Sequence, residues 1–327
     1  MLAGLSAALG AGLLWGLVFL TPLLLADYPP FMLAIGRYLA FGVLALGLAW
    51  FDRAALARLT RADWIEAVKL ALIGNLLYYS TLASAIQLAG GPVPTLIIGT
   101  LPVVIAITAN LLDRRHGGGE DSAPWMRLAA PLALILGGLF AVHSASAHAL
   151  PAEASADYLL GIGFGLFALG CWTWYPIRNS RWLRARGAGL SRAWATAQGL
   201  ATLPVAIVAG IGYWLWDTRL APGGPGFAWP LGPRPEAFVG MCILLGLAAS
   251  WLGTLLWNRA SHLLPAALVG QLIVFETLAA LLYAFLWYGR WPGMAESAGI
   301  VLLIAGVLGG VRVFRHGGAR AAADGAG

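Results

Sequence analysis

A single carboxylate, Glu276, lies near the middle of the apolar stretch 265–287. The stretch has about the 20 residues that a helix needs to cross the hydrocarbon core of a bilayer. On insertion scales a charge at that depth costs roughly 2.5–3.5 kcal/mol, so the carboxylate needs a partner, water, a proton or a function. Three roles fit such a group: proton carrier, ligand for a substrate amine, or acceptor for a neighbouring tyrosine, tryptophan or arginine.

A second charge, Arg37, lies inside the apolar segment 31–51. Its depth is near 9 Å at about 1.5 Å per residue. The guanidinium could bind a substrate carboxylate or pair with Glu276. It could also extend outward to the membrane surface, as long basic side chains readily do. The sequence leaves these roles open.

Polar side chains in segment 65–88 predict that this helix lies inside the protein. Asn75, Tyr78 and Tyr79 share an arc of about 100° on a helix, and further polar residues occupy the opposite side. A helix that faces lipid would not be polar on both sides. These three side chains offer a small amphipathic ligand hydrogen bonds and flat apolar contact. The alternative is hydrogen bonding between helices, worth about 0.6 kcal/mol each.

Most tryptophans, Trp257 among them, lie near segment ends, where interface anchors belong. A few aromatic residues lie deeper and predict an aromatic-walled cavity, with ordinary helix packing as the alternative. With the serine that precedes the last of them, these candidates for substrate contact are Trp15, Trp172, Tyr175, Ser250 and Trp251.

Segment 92–112 carries a stripe of small residues that includes Gly99 and Pro102. Because Pro102 lacks a backbone N–H, the carbonyl of Ile98 must find another partner. The pattern predicts a bend or gating point in a helix that lines a cavity. Close packing against a neighbouring helix, which small residues also favour in lipid, is the alternative.

The composition excludes a soluble globular protein. Of the 327 residues, 60% are hydrophobic and only 10% are charged, whereas soluble domains carry about 25% charged residues. An all-α polytopic membrane protein is the class that fits. The sequence contains no phosphate loop, zinc-protease motif or nucleophile elbow, and its cysteines and histidines lack ligand spacing. We therefore predict no enzyme activity, no cofactor and no metal.

Ten apolar segments predict ten transmembrane helices, the first of them retained rather than cleaved. Sixteen of the twenty Lys and Arg residues fall on one side of the alternating loops, three fall on the other, and Arg37 lies inside a segment. By the positive-inside rule, both termini are cytoplasmic. The segments are 3–25, 31–51, 65–88, 92–112, 125–143, 158–177, 193–216, 236–257, 265–287 and 295–314.

The second half of the chain weakly repeats the first at an offset of about 170 residues. Glu-Ala-Val at 66–68 opens the third segment and Glu-Ala-Phe at 236–238 opens the eighth. Because each half holds five segments, an odd number, the second copy must be inverted, which is a transporter architecture. We predict repeats over 1–150 and 151–316 and a disordered cytoplasmic tail over 317–327.

With these features in this order, the chain resembles the drug/metabolite transporter superfamily in its ten-span EamA-type form, over its whole length. It departs from the family pattern at Thr277, where proline is usual, at Arg290, near a usual acidic residue, and at Asp113, in place of glutamate. The residues that carry the resemblance are Leu14-Trp15-Gly16, Pro30 followed by Arg37, Pro92 with Leu101-Pro102 and Asp113, and Phe275-Glu276.

The resemblance implies two inverted five-helix repeats around a central cavity in a bacterial inner membrane. It also implies a secondary carrier or facilitator of small metabolites that works by alternating access. The family includes exporters of amino acids, among them aromatic ones, so amino acids are the expected cargo, and the Trp and Tyr positions here would suit aromatic ones. Export of drugs or other amphipathic metabolites is one alternative. A lipid-handling or scaffolding protein without a solute pathway is another. The expected partners are a small-molecule substrate and the bilayer, not nucleic acid; monomer and homodimer remain open.

Overall fold

The computed structural model is helical throughout the part of the chain that it describes, without a β-strand in that part. The described residues are 1–89, 92–115, 125–146, 156–186, 189–220, 227–264, 268–269, 272–289 and 291–324. In chain order the helices are α1 (Leu2–Leu24), α2 (Pro30–Leu56), α3 (61–89), α4 (92–115), α5 (Trp125–Ser146), α6 (Ala156–Arg186), α7 (Ser191–Leu220), α8 (Pro235–Leu263), α9 (Val274–Tyr288) and α10 (Met294–Asp324).

Five helices, α1, α2, α6, α7 and α8, are long and apolar enough to cross a membrane. Shorter apolar stretches lie in α5, α9 and α10, at Ala129–Gly138, Val274–Tyr283 and Met294–Gly309. Each predicted apolar segment therefore holds a helix, and the fold is that of a multi-pass membrane protein.

The helix starts follow local chemistry. Pro30 and Pro235 occupy the first positions of α2 and α8, where the missing N–H costs nothing. A capping box starts α3: the Thr60 side chain accepts from the Asp63 backbone N–H, and the Asp63 carboxylate accepts from the Thr60 backbone N–H at 2.8 Å.

Both α3 and α8 contain a wider π-helical segment at similar places. The segments are Leu70–Leu77 in α3 and Leu245–Leu252 in α8. Such turns displace the i→i−4 backbone pattern and are frequent at functional sites. Asn75 lies in the first segment and Ser250 in the second, so both wide turns carry a candidate site residue.

Helix α4 is interrupted between Pro92–Gly99 and Leu101–Arg115. At the interruption, Thr100 donates its backbone N–H to the carbonyl of Ile97 at 3.1 Å and its hydroxyl to the same oxygen at 2.6 Å. The break lies two residues before Pro102, where the sequence predicts a bend. The Pro102 side chain lies outside the described part of the chain.

Helix α9 begins later than its apolar segment predicts. Its first residue is Val274, after a turn at Ile273 that separates it from helical residues at 268–269 and 272. Glu276 therefore lies in the first turn of α9, not near the middle of a helix over 265–287. Negative charge is favoured at a helix N-terminus, by about 0.3–1 kcal/mol at exposed sites.

The C-terminal helix also differs from its prediction. Helix α10 continues to Asp324 and so runs through most of the stretch 317–327 that the sequence predicted to be disordered. The run Ala-Arg-Ala-Ala-Ala at 319–323 explains the difference, because alanine and arginine are among the strongest helix formers.

The helices pack in related pairs. Helix α2 packs along α7, and α5 along α10; α1 contacts α8 and α9, while α6 contacts α3 and α4. Glycine makes the α1–α9 contact possible: a Cβ on Gly12 would lie 2.6 Å from Cβ of Phe275, and one on Gly16 would lie 2.7 Å from Cβ of Ala279. Close approach through small residues is how helices associate in lipid.

Candidate functional site

A small cavity of about 20 Å³ lies between α1, α2, α3, α6, α8 and α9. This volume leaves room for about one water molecule. Seven of the lining residues are candidates from the sequence. The full lining comprises Trp15, Val18, Arg37, Tyr38, Asn75, Tyr78, Trp172, Ala249, Ser250, Thr254 and Glu276.

Glu276 reaches this central cavity from the first turn of α9. Its side chain is almost fully buried, with 4% of the residue exposed. Its Oε2 atom has no hydrogen-bond partner among the described residues. Buried polar atoms are nearly always paired, so this oxygen is an acceptor available to a water, a proton or a cargo group.

Arg37 enters the cavity from α2 and is also buried, with 6% exposed. Its Nε donates to the hydroxyl of Ser250 at 2.9 Å, and its guanidinium carbon lies 4.7 Å from the centroid of the Tyr79 ring. Its Nη1 atom has no partner in the described structure. The guanidinium therefore stays inside the protein and does not extend to the membrane surface.

Arg37 and Glu276 do not form a direct ion pair within 4.0 Å, as judged from the described residues. One cavity thus presents a guanidinium donor and a carboxyl acceptor that are not hydrogen-bonded to each other. A group that carries both charges could bridge them. The hydroxyl of Tyr78 and the indole Nε1 of Trp172 face the same space and also lack a partner within the described ranges.

Stacked aromatic rings form one wall of the cavity. The rings of Tyr78 and Trp172 stack at 4.6 Å between centroids, and Trp172 and Tyr175 stack at 4.9 Å. Trp15 meets Trp172 edge-on at 5.2 Å and contacts Trp257 at 5.0 Å. Offset and edge-on contacts between aromatic rings are worth about 0.5–1.5 kcal/mol each beyond burial, so the wall is preorganised.

The two wide turns hold the polar side of the cavity. Asn75 donates to the hydroxyl of Thr202 at 3.3 Å. In α8, the indole Nε1 of Trp15 donates to the backbone carbonyl of Ala249 at 2.8 Å. The π-helical geometry of α8 leaves this carbonyl available to a side chain, and the bond fixes the Trp15 ring at the cavity.

Not every predicted site residue lines the cavity. Tyr79 lies beneath Arg37, and Tyr175 stands behind Trp172, where its hydroxyl donates to Gln198 at 2.7 Å. Trp251 points toward Thr196, with its indole nitrogen 3.4 Å from that hydroxyl. These three residues lie behind the side chains that line the cavity. Gly99 is buried beside the α4 break and is absent from the lining.

Four lining residues were not predicted from the sequence: Val18, Tyr38, Ala249 and Thr254. Tyr38 follows Arg37, and Thr254 lies one helical turn after Ser250, so helix periodicity is the signal that could have found them. Trp257 was wrongly placed among the interface anchors. It is 1% exposed, because α8 continues to Leu263, six residues beyond the predicted end of its segment.

A buried amide network closes one end of the cavity. The side chain of Asn179 donates to that of Asn258 at 2.7 Å and accepts from the Trp194 indole at 2.8 Å and from Gln198 at 3.2 Å. All four residues have at most 1% relative exposure. A fully satisfied polar network rigidifies the elements that it joins, and this one ties α6 to α7 and α8.

Among the described residues, three ion pairs that join different helices lie outside this network, at the end of the bundle formed by the C-termini of α2 and α6 and the N-termini of α3 and α7, here called the basic end. Arg192 binds Asp52 at 2.7 Å. Arg178 donates Nη2 to Glu66 at 3.1 Å, and Arg186 binds Asp63. These pairs join α2 to α7 and α3 to α6.

The environment of Asp63 keeps it ionised. Burial favours the neutral acid, but hydrogen bonds from Thr60 and from the Trp182 indole, together with the charge of Arg186, hold the pKa of Asp63 below its ordinary value. The carboxylate accepts from Trp182 Nε1 at 2.9 Å. Asp63 thus combines a helix cap with a connection between two helices.

The other end of the bundle, called the opposite end, is closed by an aromatic lid and a latch. The rings of Tyr28 and Phe238 stack at 4.7 Å with 4° between their planes. The Tyr28 hydroxyl donates to the carbonyl of Leu231 and accepts from the backbone N–H of Arg234, both at 2.9 Å. The Arg234 guanidinium binds Asp27, and this hydrogen-bonded contact lowers the pKa of Asp27.

No group of three metal-binding side chains comes together within the residues that the structure describes. Cys171 and Cys242 are both buried free thiols. The polar groups at the cavity are one carboxylate, one guanidinium, hydroxyls, an amide and indole N–H groups. Such a set suits reversible binding of a small charged molecule.

Comparison with known proteins places this geometry in a family. The EamA-like transporter family model matches residues 2–115. The chain is also 46% identical over 313 residues to the inner membrane protein YtfF of Escherichia coli (strain K12), covering 95% of this chain and 96% of that protein. The chain belongs to the EamA-like transporter family.

Membership of this family, within the drug/metabolite transporter superfamily, makes the chain a membrane transporter and not an enzyme. It is a multi-pass protein of the inner membrane whose partners are a small-molecule substrate and the lipid bilayer. A solved crystal structure shares the fold with a TM-score of 0.68 at 18% identity, covering 96% of this chain and 98% of the other.

Proposed function

We propose that the protein carries amino acids, preferentially aromatic ones, across the inner membrane through the central cavity. The observation that carries the proposal is the pair of uncompensated groups, Arg37 and Glu276, at one cavity with a stacked aromatic wall. An amino acid is a zwitterion with an apolar body, and each of its parts has a counterpart here.

The charged groups define how such a cargo binds. Arg37 Nη1 donates to the α-carboxylate of the cargo, because hydrogen bonds between ionised groups are about twice as strong as neutral ones. Glu276 Oε2 accepts from the ammonium group. The rings of Tyr78 and Trp172 then contact the side chain of the cargo, where an aromatic ring gains further stacking. Buried carboxylate and guanidinium groups discriminate strongly against a cargo that leaves either of them unpaired.

The arrangement of helices supports ten membrane spans in two inverted repeats, over 1–150 and 151–316. If α1–α5 correspond to α6–α10, the observed contacts fall into matching pairs: α1 with α8 matches α6 with α3, and α1 with α9 matches α6 with α4. The remaining pairings, α2 with α7 and α5 with α10, each join a helix to its own counterpart, as a two-fold relation requires.

Two further correspondences support the repeat. The wide turns of α3 and α8 begin at Leu70 and Leu245, and both helices are third in their half. The fourth helix of the first half, α4, is interrupted at Thr100, and in the second half a turn at Ile273 separates α9 from helical residues at 268–269 and 272. Discontinuous helices in corresponding positions of two halves are a strong pointer to a transporter binding site.

The basic end of the bundle faces the cytoplasm in this proposal, and so do both termini. The alternation of basic residues along the sequence gives this orientation. The ion pairs to Asp52, Asp63 and Glu66 support it, since they bring the basic ends of α6 and α7 together at one end of the bundle.

Transport by alternating access requires this cavity to enlarge. Small-molecule sites occupy about 300–1,000 Å³, whereas the central cavity has about 20 Å³. The structure therefore corresponds to a closed state without room for cargo. Opening at either end breaks a different set of contacts: the amide network at the basic end, or the lid and latch at the opposite end.

Counterflow in proteoliposomes tests the proposal. Vesicles are preloaded with unlabelled amino acids and challenged with labelled phenylalanine, alanine or the phenylalanine analogue that lacks its carboxylate, phenethylamine. We expect wild-type protein to take up phenylalanine well, alanine less and the amine very poorly. Glu276→Gln and Arg37→Gln should abolish uptake, whereas the exposed-site controls Glu236→Gln and Arg58→Gln should retain it.

The alternatives give different results. Uptake of cationic or neutral amphipathic drugs without amino-acid uptake would favour a drug exporter and overturn the cargo assignment. Retention of full flux in a folded Glu276→Gln protein would show that the carboxylate is structural. If no solute moves across a broad panel while the protein binds lipid headgroups, the proposed carrier function fails in favour of lipid handling.

A further inference from the structure

A second, larger groove lies on the outside of the bundle between α4 and α6. Its volume is about 470 Å³, within the range of about 300–1,000 Å³ that small-molecule sites occupy. The groove contains none of the residues that line the central cavity, and it opens outward, since Leu166 at one of its ends is 55% exposed. The proposed carrier function gives this groove no role.

The groove changes character along its length. Leu166 and Leu169 form its apolar part on α6, Trp174 follows, and Arg178 and Arg181 lie at the other end. Leu166 and Arg181 are fifteen positions apart, or about 22 Å along a helix. That length is half of the roughly 40–45 Å thickness of a bilayer with its headgroups, so the groove spans a single leaflet.

The polar part of the groove belongs to the basic end. Helix α4 also ends there, with Arg114 and Arg115 as its last two residues. Arg178 binds Glu66 through Nε and Nη2, yet its side chain stays about half exposed (52%). A guanidinium has five N–H donors, so one carboxylate does not exhaust Arg178. The local charge is positive.

We propose that this groove is a binding site for an anionic phospholipid. The acyl chain lies along Leu166, Leu169 and Gly170, the glycerol region meets Trp174, and the phosphate binds at Arg178 and Arg181. Basic pockets between membrane helices are a recognised setting for acidic lipid headgroups, and aromatic side chains settle at the headgroup boundary. A zwitterionic lipid fits the apolar part equally well but gains less at the arginines.

The proposed lipid would act on the interrupted helix. The groove is lined on the α4 side by Val104, Thr108 and Leu112, which all follow the break at Thr100. A lipid bound between α6 and the part of α4 after Thr100 therefore restrains the second half of this interrupted helix.

Native mass spectrometry of the purified full-length protein tests the site. The protein is equilibrated in micelles containing equal amounts of phosphatidylglycerol and phosphatidylethanolamine, and the ratio of the two bound lipids is measured. We expect phosphatidylglycerol to be enriched about fivefold for each arginine engaged, the factor that one basic group near an anionic surface provides. Inorganic phosphate should not displace the bound lipid, because it cannot occupy the apolar part.

Two variants, each with a matched control, locate the bound lipid. Arg181→Gln should reduce the enrichment about fivefold, whereas Arg58→Gln, an exposed arginine in the loop after α2, should leave it unchanged. Gly170→Leu should abolish the bound lipid by filling the groove. A Cβ on Gly170 meets no atom within 4 Å, and the same holds for Gly47 on α2, so Gly47→Leu is a control with an equal change in volume.

Equal binding of the two lipids by wild-type protein would overturn the proposal. Unchanged lipid binding in a folded Gly170→Leu protein would also overturn it, because the lipid would then lie elsewhere. Displacement by inorganic phosphate alone would reduce the site to a simple anion site. These readouts do not depend on transport, so failure of the carrier proposal would leave the lipid proposal standing, and the converse also holds.

Discussion

Arg37 on α2 and Ser250 on α8 are joined by a buried hydrogen bond of 2.9 Å that crosses between the two proposed repeats. The bond fixes Nε of the guanidinium, while Nη1 is buried without a partner in the described structure. The only guanidinium among the lining residues is thus held by one serine hydroxyl in the π-helical turn of α8, together with the rings of Tyr38 and Tyr79.

Replacing that serine should weaken cargo binding. Ser250→Ala leaves Arg37 Nε without its acceptor in a buried site, and hydrogen bonds to charged groups are worth about 1.5–3 kcal/mol. We expect KM for the amino-acid cargo to rise by about tenfold or more. The check is concentration-dependent counterflow, with Ser84→Ala as the control, since Ser84 bonds only within its own helix, to the Ser80 carbonyl. An unchanged KM would contradict this role.

A second prediction concerns the close contact between α1 and α9. Gly12→Ala places a Cβ 2.6 Å from Cβ of Phe275 and 2.9 Å from the backbone nitrogen of Glu276, so the helices must separate. Overpacking of this kind costs about 1–3 kcal/mol. Thermal unfolding in detergent should show a lower midpoint for Gly12→Ala. The control Gly163→Ala meets open space and should match wild type or slightly exceed it, because alanine is the better helix former. Equal midpoints for all three proteins would show that the helices absorb the added methyl group.

A third prediction uses the lowered pKa of Asp63. Because its pKa in the folded protein lies below the ordinary value of 3.8, its stabilising effect is complete above that value and is lost only as the pH falls through the lowered pKa. Asp63→Asn should therefore lower the unfolding midpoint equally at pH 5.5 and pH 7.5. Thermal scans at the two values check this. A penalty that vanished at pH 5.5 would mean that Asp63 titrates in that range.

A fourth prediction concerns the latch between Asp27 and Arg234. Cys242 lies one helical turn after Phe238 in the lid and is buried as a free thiol, so it reports opening of the opposite end. Asp27→Asn removes an exposed ion pair, whose contribution is small because solvent screens it. In a Cys171→Ser background, maleimide labelling of Cys242 should therefore accelerate only modestly, about two- to fivefold.

The control for the latch is the same thiol in an Asp217→Asn protein. Asp217 is also an acidic residue near the opposite end, but within the part of the chain that the structure describes it accepts from the Trp229 indole and not from an arginine. Labelling at the wild-type rate in both variants would assign the closure of this end to the Tyr28–Phe238 lid alone.

The sequence singled out the two charged residues that lie at the cavity, for a physical reason. Charge is so costly in a bilayer that Glu276 and Arg37 stand out among apolar residues, and both line the cavity. Tyr78 and Asn75 were found through helix periodicity. The π-helical segment of α3 changes that periodicity little over so short a distance, because the two residues lie within one turn of each other.

What the sequence could not predict depends on where helices begin and end. An apolar segment does not show that α9 starts at Val274 or that α8 reaches Leu263, because lipid-facing and interior residues are apolar alike. Trp257 was therefore placed at the membrane surface, although it packs on Trp15 in the interior. The hydrogen bond between Arg37 and Ser250 joins two helices that are far apart in the sequence. Hydrophobic periodicity does not show which distant helices pack against each other.

The hydrogen bond from Trp15 to the Ala249 carbonyl has a mechanical consequence. It attaches the Trp15 ring of the aromatic wall to the backbone of α8. If the ring turned away, the Ala249 carbonyl would lose its side-chain donor in a membrane interior that offers no water to replace it. The Trp15 ring and α8 therefore move together for as long as this bond holds, and any rearrangement of α8 in the proposed transport cycle also moves the aromatic wall.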